Sequence, residues 1–260
     1  MRRAYTYSLD STVLGANAVN VPIGIRIHRP FVLRKITNAV TPTGRYRINI
    51  WNERDDFRYF VVRVRDDLVV GNGQGRCYLY EGYVFNAGDR MVVELADDSG
   101  SDNTVKIDFH GYEIVDEKVT VPEPGWAPRG FLLELSGANA LGSEATVEGG
   151  VNASLTVTED TRFRAMTLSQ TGAFELNAYI QQYQMWLFDS MVRSQDFLGT
   201  TTDPVYFSDI TVPGGGAYGK DLVFRLTDVS VASNTILGFI YGVSRIQNRV
   251  KGGVPWWETV

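Results

Sequence analysis

The chain has 260 residues, of which 44% are hydrophobic and 21% charged, and its formal net charge is −5. This composition is too apolar for a disordered chain, and the acidic balance without a long Lys/Arg run disfavours a nucleic-acid partner. No apolar run reaches the roughly 18 residues of a membrane span, so no membrane partner is expected. A single cysteine excludes a disulfide framework, and two histidines exclude most histidine metal sites.

Alternating apolar and polar residues predict strands in the first half of the chain, over 31–36, 45–51, 58–65 and 104–110. Turn residues separate these segments, as with Thr-Gly at 43–44 and the polar stretch 97–103. About seven or eight short strands in roughly 115 residues are typical of an antiparallel sandwich of the jelly-roll type.

The polar stretch 97–103 is also a candidate calcium loop, because Asp97, Asp98 and Asp102 supply carboxylate oxygens within a few residues. The matching stretch 228–234 in the second half keeps only one acid. A turn held by Asp and Asn side chains therefore remains the simpler interpretation.

An internal repeat is the strongest signal in the sequence. Residues 88–111 align without a gap on residues 219–242, an offset of 131, and seven of the 24 positions are identical, where chance gives about one or two. The identical pairs are Gly88/Gly219, Leu95/Leu226, Asp97/Asp228, Ser99/Ser230, Asn103/Asn234, Thr104/Thr235 and Gly111/Gly242. Upstream, Phe31 aligns with Phe163 and Thr43 with Thr171. A period of this length fits a duplicated domain rather than a solenoid.

The repeat predicts an all-β protein of two tandem antiparallel jelly-roll-like sandwiches related by internal duplication. The predicted domains are residues 1–118 and 131–247, and a stretch with three prolines at 119–130 reads as an extended linker. Residues 248–260 form a C-terminal interaction tail in this scheme.

The second half contains one segment, residues 181–197, whose apolar spacing fits a helix, although a pair of strands is an alternative. An aromatic cluster of Tyr179, Tyr183 and Trp186 lies at its start. These rings could stack on sugars in a carbohydrate-binding module, or they could pack in the core.

Arginines and terminal aromatic residues are the candidate protein interfaces. Residues 1–118 carry 13 of the arginines and only three lysines, a bias that suits fixed ion pairs at protein contacts or a solvated strand face. The tail carries Trp256 and Trp257, which fit a docking hot spot or a fold-back onto the chain's own core. Arg2, Arg3 and Tyr5 could form an N-terminal arm that reaches the same neighbour.

No catalytic signature accompanies these features. The sequence has no nucleophile elbow, no phosphate-binding Gly-rich loop and no HExxH motif. Adjacent or paired carboxylates, such as Asp66 with Asp67 and Glu94 with Asp108, are the sort of pairs that strand surfaces show by accident. We therefore expect a non-enzymatic protein without a cofactor.

The segments 29–39 and 104–113, with the Thr-Gly-aromatic strand between them, resemble virion structural proteins of tailed bacteriophages. The second half repeats this pattern. The resemblance implies a jelly-roll accessory component of the capsid, vertex or neck that is assembled in the host cytoplasm and located in the virion. It also implies that the partners are other virion proteins and further copies of the chain. The alternative function, a carbohydrate-binding tail adhesin, depends instead on the aromatic cluster of Tyr179, Tyr183 and Trp186.

Overall fold

A computed structural model describes residues 2–19, 21–39, 41–54, 57–60, 62–72, 78–115, 126–137, 144–146, 154–170, 174–180, 185–186, 192–193, 205–214, 220–228 and 234–245. These residues form two compact units, divided between Arg129 and Gly130. Within the described part of the chain, no helix has the length and apolar character needed to span a membrane.

The first unit consists almost entirely of strands with one short helix, α1 (Asp66–Val69). Its strands are β1 (Arg2–Leu14), β2 (Val21–Arg26), β3 (Phe31–Asn38), β4 (Tyr46–Asn52), β5 (Phe57–Arg58), β6 (Val64–Arg65), β7 (Gly71–Asn72), β8 (Tyr78–Phe85), β9 (Arg90–Asp97) and β10 (Asn103–Ile114).

The second unit is likewise built of strands. They are β11 (Trp126–Gly137), β12 (Glu144–Thr146), β13 (Ser154–Val157), β14 (Thr161–Gln170), β15 (Phe174–Ile180), β16 (Met185–Trp186), β17 (Val192–Arg193), β18 (Val205–Val212), β19 (Lys220–Asp228) and β20 (Asn234–Arg245). Strand β11 begins at Trp126, so the last residues of the predicted linker belong to a strand. The described residues between 181 and 197 form strands β16 and β17.

The two units have the same strand order. In the first unit, β1, β10, β3 and β8 form one sheet, in which the short β7 also pairs with β3, in parallel. Strands β2, β9 and β4 form the other sheet, with β5 and β6 paired to β4. In the second unit, β11, β20, β14 and β18 form one sheet, and β12 and β13, then β19, then β15 form the other, with β16 and β17 paired to β15. Each is the two-sheet arrangement of a jelly roll. The predicted all-β fold of antiparallel, jelly-roll-like sandwiches is confirmed.

Alternation along the strands places the apolar side chains inside each sandwich. Ile48 and Ile50 of β4, and Val93 and Leu95 of β9, have no exposed surface. The residues between them in sequence point to the opposite, outer face of the sheet.

The aligned residues of the repeat lie on topologically equivalent strands. Asp97 pairs with Tyr46 in the first unit, and Asp228 pairs with Phe174 in the second. Each of Asn49 and Asn177, three positions further along these strands, accepts a hydrogen bond from the next backbone N–H at 2.8 Å.

The alignment of β3 with β14 needs a correction of two residues. Gly111 pairs with Leu33, and its counterpart Gly242 pairs with Phe163. Phe163 therefore corresponds to Leu33 rather than to Phe31. Because a shift of two residues leaves every side chain on the same face, apolar periodicity does not detect it.

Candidate interaction surface

The N-terminal residues Arg2, Arg3 and Tyr5 lie in strand β1 and do not form a free arm. Arg2 pairs with Ile114, Arg3 with Glu113 and Tyr5 with Gly111. In the strand order of the described residues, β1 is the end strand of its sheet. These residues therefore belong to the fold of the first unit.

Side-chain contacts of Arg3 are directed into this unit. Its Nη2 donates to Glu113 Oε2 at 2.8 Å, and the Glu113 side chain is only 3% exposed. The hydroxyl of Tyr7 also donates to this carboxylate, at 3.4 Å, and burial is the main cause of the raised pKa of Tyr7. The Arg3 side chain itself is 53% exposed. Arg2 is also exposed, and its guanidinium lies 5.0 Å from the Tyr112 ring centre.

A layer of arginines covers the outer face of the sheet formed by β2, β9 and β4. Residues that are paired across strands share a face, and Arg26 pairs with Arg90 while Arg47 pairs with Arg65. Trp51 pairs with Arg58, whose guanidinium carbon lies 4.7 Å from the indole centre. We name this surface the arginine face, and its arginines are Arg26, Arg47, Arg58, Arg63, Arg65 and Arg90.

Carboxylates hold most of these guanidiniums in place. Arg58 Nη1 and Arg63 Nε lie 3.6 and 3.4 Å from the same oxygen of Glu94, a side chain that is 11% exposed. The remaining ion pairs are Arg47 with Asp98 at 2.9 Å, Arg65 with Asp67 at 2.6 Å and Arg90 with Glu53 at 3.2 Å. Gly24 is part of the same arrangement, because the Arg90 guanidinium occupies the space that a Cβ at position 24 would need.

The candidate calcium loop is a turn whose carboxylates accept hydrogen bonds from the protein itself. Asp97 accepts from the N–H groups of Asn17 and Gly100 and from the hydroxyl of Ser99, and this hydroxyl is the largest cause of its lowered pKa. Asp98 pairs with Arg47, and Asp102 accepts from the Ala16 N–H at 3.0 Å. Since each carboxylate has its own donor, the geometry favours the turn interpretation over a cation site.

Asn103, which follows the loop, joins it to the neighbouring turn. Its Oδ1 accepts from the Thr43 hydroxyl at 2.9 Å and the Gly44 N–H at 3.0 Å, while its Nδ2 donates to the Gly44 carbonyl at 3.0 Å. The side chain is almost fully buried. Asn103 is identical to its counterpart Asn234 in the repeat. In the first unit, this shared asparagine holds the loop in place.

The aromatic candidates of the second unit are only partly within the described structure. Tyr179 is half-buried and lies between the buried residues Ala178 and Ile180, so it faces outward rather than into the core. The backbone position of Trp186 pairs directly with it. Tyr183 and the tail residues Trp256 and Trp257 lie outside the described residues.

Of the carboxylate pairs considered for acid–base chemistry, Asp66 and Asp67 both lie against Arg45 Nη1, at 3.4 and 3.8 Å, whereas Glu94 and Asp108 do not meet. Glu94 lies on the outer face of one sheet, whereas Asp108 lies on the outer face of the other, where it accepts from Ser8 at 2.6 Å. Asp66 is buried and Asp67 is engaged by Arg65. Among the described residues, no group of three or more His, Cys, Asp or Glu side chains is arranged to hold a metal ion.

Comparison with known proteins shows similarity in structure but not in sequence. No family model and no curated protein sequence matches the chain. The chain is similar to the crystal structure of the STIV MCP, with a TM-score of 0.50 and 10% identity over 94% of this chain and 97% of that one.

Two further solved structures show weaker likeness. One belongs to the atomic structure of Sulfolobus Turreted Icosahedral Virus, with a TM-score of 0.49 and 11% identity over 93% of this chain and 91% of that one. The other is the major capsid protein P2 from Bacteriophage PM2, with a TM-score of 0.44 and 14% identity over 95% of this chain and 99% of that one. Both TM-scores are below 0.5. At 10% identity, the likeness to the STIV MCP is one of fold.

Proposed function

We propose that the chain is a virion structural protein that acts through protein–protein contacts in a symmetric assembly. The observation that carries this proposal is the fold match to the STIV MCP, a viral capsid protein, along nearly the whole length of both chains. The match therefore includes both jelly-roll units and is not limited to a single domain. A shared fold does not by itself give a function, so the proposal needs a direct test.

Within the virion, we propose a place in the capsid. The resemblance in sequence pointed to a tailed-bacteriophage accessory protein of the capsid, vertex or neck. The likeness in fold is to a viral major capsid protein, which favours the capsid over the vertex and the neck. The proposed partners are further copies of the chain and other virion proteins, joined during assembly in the host cytoplasm.

The proposed role is non-enzymatic. In the first unit, Glu94 lies 3.6 Å from Arg58, Asp108 accepts from the Ser8 hydroxyl and Asp97 accepts from the Asn17 N–H. These carboxylates stabilise turns and hold guanidiniums in place, so their role is structural. Internal duplication of one jelly roll is the origin we propose for the two units, on the basis of their common strand order and the 24-residue ungapped alignment.

The C-terminal tail is the proposed anchor. Residues 250–260 include Trp256 and Trp257, and burial of one large aromatic side chain contributes about 1.5–3 kcal/mol. The test is a chain lacking residues 250–260, measured for thermal unfolding and, separately, for incorporation into particles. We expect normal folding with loss of incorporation. Incorporation at wild-type occupancy would exclude the tail as the anchor, and absence of the full-length chain from purified particles would exclude the virion role.

A carbohydrate-binding function is the second candidate, favoured by the outward position of Tyr179 opposite position 186. Two aromatic positions paired on the outer face of a sheet are suited to stacking on sugar rings. A glycan array with the full chain and a Tyr179→Ala variant tests it. Binding that the variant abolishes would support the adhesin, and absence of binding by the full chain would exclude it.

A further inference from the structure

Strand β1 is a long end strand with one edge that no strand of the described residues covers. Tyr7 and Leu9 point into the sandwich and are buried. The side chains between and before them point to the outer face, and all of these residues are exposed: Arg2, Ala4, Thr6, Ser8 and Asp10. An uncovered strand edge offers its backbone N–H and C=O groups to any strand that can align with it.

A bulge limits the regular part of this edge. The register of β1 with β10 shifts between Leu9 and Thr12, where Asp10 and Ser11 together face Lys106. A bulge bends the strand and increases its twist, so a second strand cannot follow the edge smoothly through it. The part of β1 that ends at Asp10 is therefore the edge on which another strand can pair.

This part of the edge is complementary to itself in an antiparallel alignment. When Thr6 of one copy stands opposite Thr6 of another, Arg2 comes opposite Asp10 and Ala4 opposite Ser8, in both directions. Arg2 and Asp10 are both exposed on the outer face. Because side chains alternate with a period of two, the other registers that match the faces are shifted by two residues or more. Every such shift separates Arg2 from Asp10.

The inner-face residues fit the same register. Tyr5 comes opposite Tyr7 of the other copy, and aromatic pairs across strands stabilise antiparallel sheets. Arg3 comes opposite Leu9 and keeps its 2.8 Å hydrogen bond to Glu113. The contact therefore leaves no inward-facing charge without its partner.

The neighbouring charges on β10 leave the charge pattern of the edge intact. The guanidinium of Arg2 lies 5.0 Å from the ring centre of Tyr112, an uncharged neighbour. Asp10 faces Lys106 across the bulge, and Asp108 on the same face of β10 has the opposite charge to Lys106. Since these two charges offset each other one strand away, the edge itself presents a basic residue at one end and an acidic residue at the other.

We propose that β1 of one copy pairs with β1 of a second copy, antiparallel about a two-fold axis at Thr6, so that one sheet continues through both molecules. This inference rests on the proposed function, because it names a contact between copies in the assembly. A two-fold contact uses the same surface twice, so the Arg2–Asp10 pair occurs on both sides of the axis. Backbone hydrogen bonds supply affinity, and the charge pairs select the register.

Disulfide formation tests the register in the full chain. A Cys77→Ala background removes the single native cysteine. Thr6→Cys should then form a covalent dimer on mild oxidation, because residues directly opposite have Cβ atoms about 4.5–5.5 Å apart. Ala4→Cys and Ser8→Cys should each give no dimer alone and should link when mixed. The control is Val13→Cys, exposed on the same strand beyond the bulge, which should give no link.

Two results would overturn the contact on this test. One is a Thr6→Cys chain that forms no more dimer than the Val13→Cys chain, in solution and in purified particles. The other is linking of Ala4→Cys with itself as efficient as its linking with Ser8→Cys, which would exclude the register.

A charge exchange tests the side-chain pairs. Arg2→Asp and Asp10→Arg should each raise the concentration for half-dimerisation roughly tenfold, because like charges then meet on both sides of the axis, and the combined variant should restore it to within about threefold. Lys35→Asp reverses a charge on β3, two strands from the edge, and is the matched control that should dimerise as the wild type does. Sedimentation measures dimerisation, and circular dichroism melting curves show whether each variant is folded.

The outcomes separate this inference from the proposed function. If the single charge variants dimerise and enter particles like the wild type, the strand contact is wrong and the virion role stands. A combined variant that dimerises no better than the single variants would likewise overturn the Arg2–Asp10 pairing. If the wild type is absent from particles while Thr6→Cys forms the covalent dimer, the proposed function fails and the strand contact holds as a contact in solution.

Discussion

The α-carbon of Gly111 lies directly against the carbonyl oxygen of Val32 on the neighbouring strand, where a Cβ would collide with it and with the Phe31 ring. The β3–β10 register shifts at this point. Gly242 makes the same approach in the second unit, where a Cβ would lie 2.6 Å from the carbonyl oxygen of Arg162. The shared glycine is thus a steric requirement of a bulge that both units have.

We predict that Gly111→Ala lowers the free energy of unfolding by about 3 kcal/mol, because the facing backbone has to move. The control is Gly88→Ala, where nothing lies within 4 Å of a Cβ and only the φ of +86° opposes the change. It should cost about 1–2 kcal/mol. Chemical denaturation measures both, and an equal or smaller loss for Gly111→Ala would contradict the steric explanation.

Asn103→Ala should destabilise the first unit by about 2 kcal/mol, because it leaves the part-buried Gly44 N–H and carbonyl without their partner. The neighbouring Asp102→Ala removes one exposed contact with Ala16 and should cost less than about 1 kcal/mol. Thermal unfolding compares the two. Equal losses would show that Asn103 does not hold the two turns together.

Asp66 gives the stability of the first unit a dependence on pH. Burial is the main cause of its raised pKa, about 6 against 3.8 for the free side chain, and the nearby Arg45 only partly offsets it. Ionised Asp66 therefore costs stability above pH 6. This cost disappears as the pH falls towards 3.8, because the folded state takes up the proton first.

The change Asp66→Asn should consequently raise the free energy of unfolding by about 1–2 kcal/mol at pH 8 and leave it unchanged near pH 4. Asp10→Asn is the control, since Asp10 is an exposed carboxylate on strand β1. Denaturant titrations at several pH values measure the difference. A gain of the same size at pH 4 and pH 8 would contradict the assignment.

Arg3→Ala should destabilise the fold by about 2 kcal/mol, because it leaves the buried carboxylate of Glu113 without its cation. Arg2→Ala should cost less than about 0.5 kcal/mol, since Arg2 is exposed and its guanidinium lies over the ring of Tyr112. If Arg2→Ala and Arg3→Ala leave stability equally unchanged, the inward role of Arg3 is wrong.

Sequence periodicity predicted the strands and their inner faces well. The ungapped match of 88–111 with 219–242 falls on β9 and β10 and on β19 and β20, which have equivalent places in their sheets. The period-two spacing of Tyr5, Tyr7 and Leu9 was also a strand signal, and it would have placed the N-terminus in a sheet.

The surface could be predicted only in part. The sequence shows the excess of arginine over lysine. That several of these arginines share the arginine face depends on the pairing of Arg47 with Arg65 and of Trp51 with Arg58. Such pairing is set by register between strands far apart in sequence, which local patterns do not contain. The signal that was available is the position of these arginines between buried residues such as Ile48 and Val64.

The closure of the first unit by β1 and β10 also sets an order of events during synthesis. Arg3 and Glu113 are 110 residues apart. At translation rates of about 5–20 residues per second, β1 waits roughly 5–20 s after leaving the ribosome before its partner strand exists. Through that interval its backbone N–H and C=O groups and its apolar residues have no native partner. The nascent chain therefore has a window of vulnerability to aggregation that is set by the strand order and not by the stability of the finished protein.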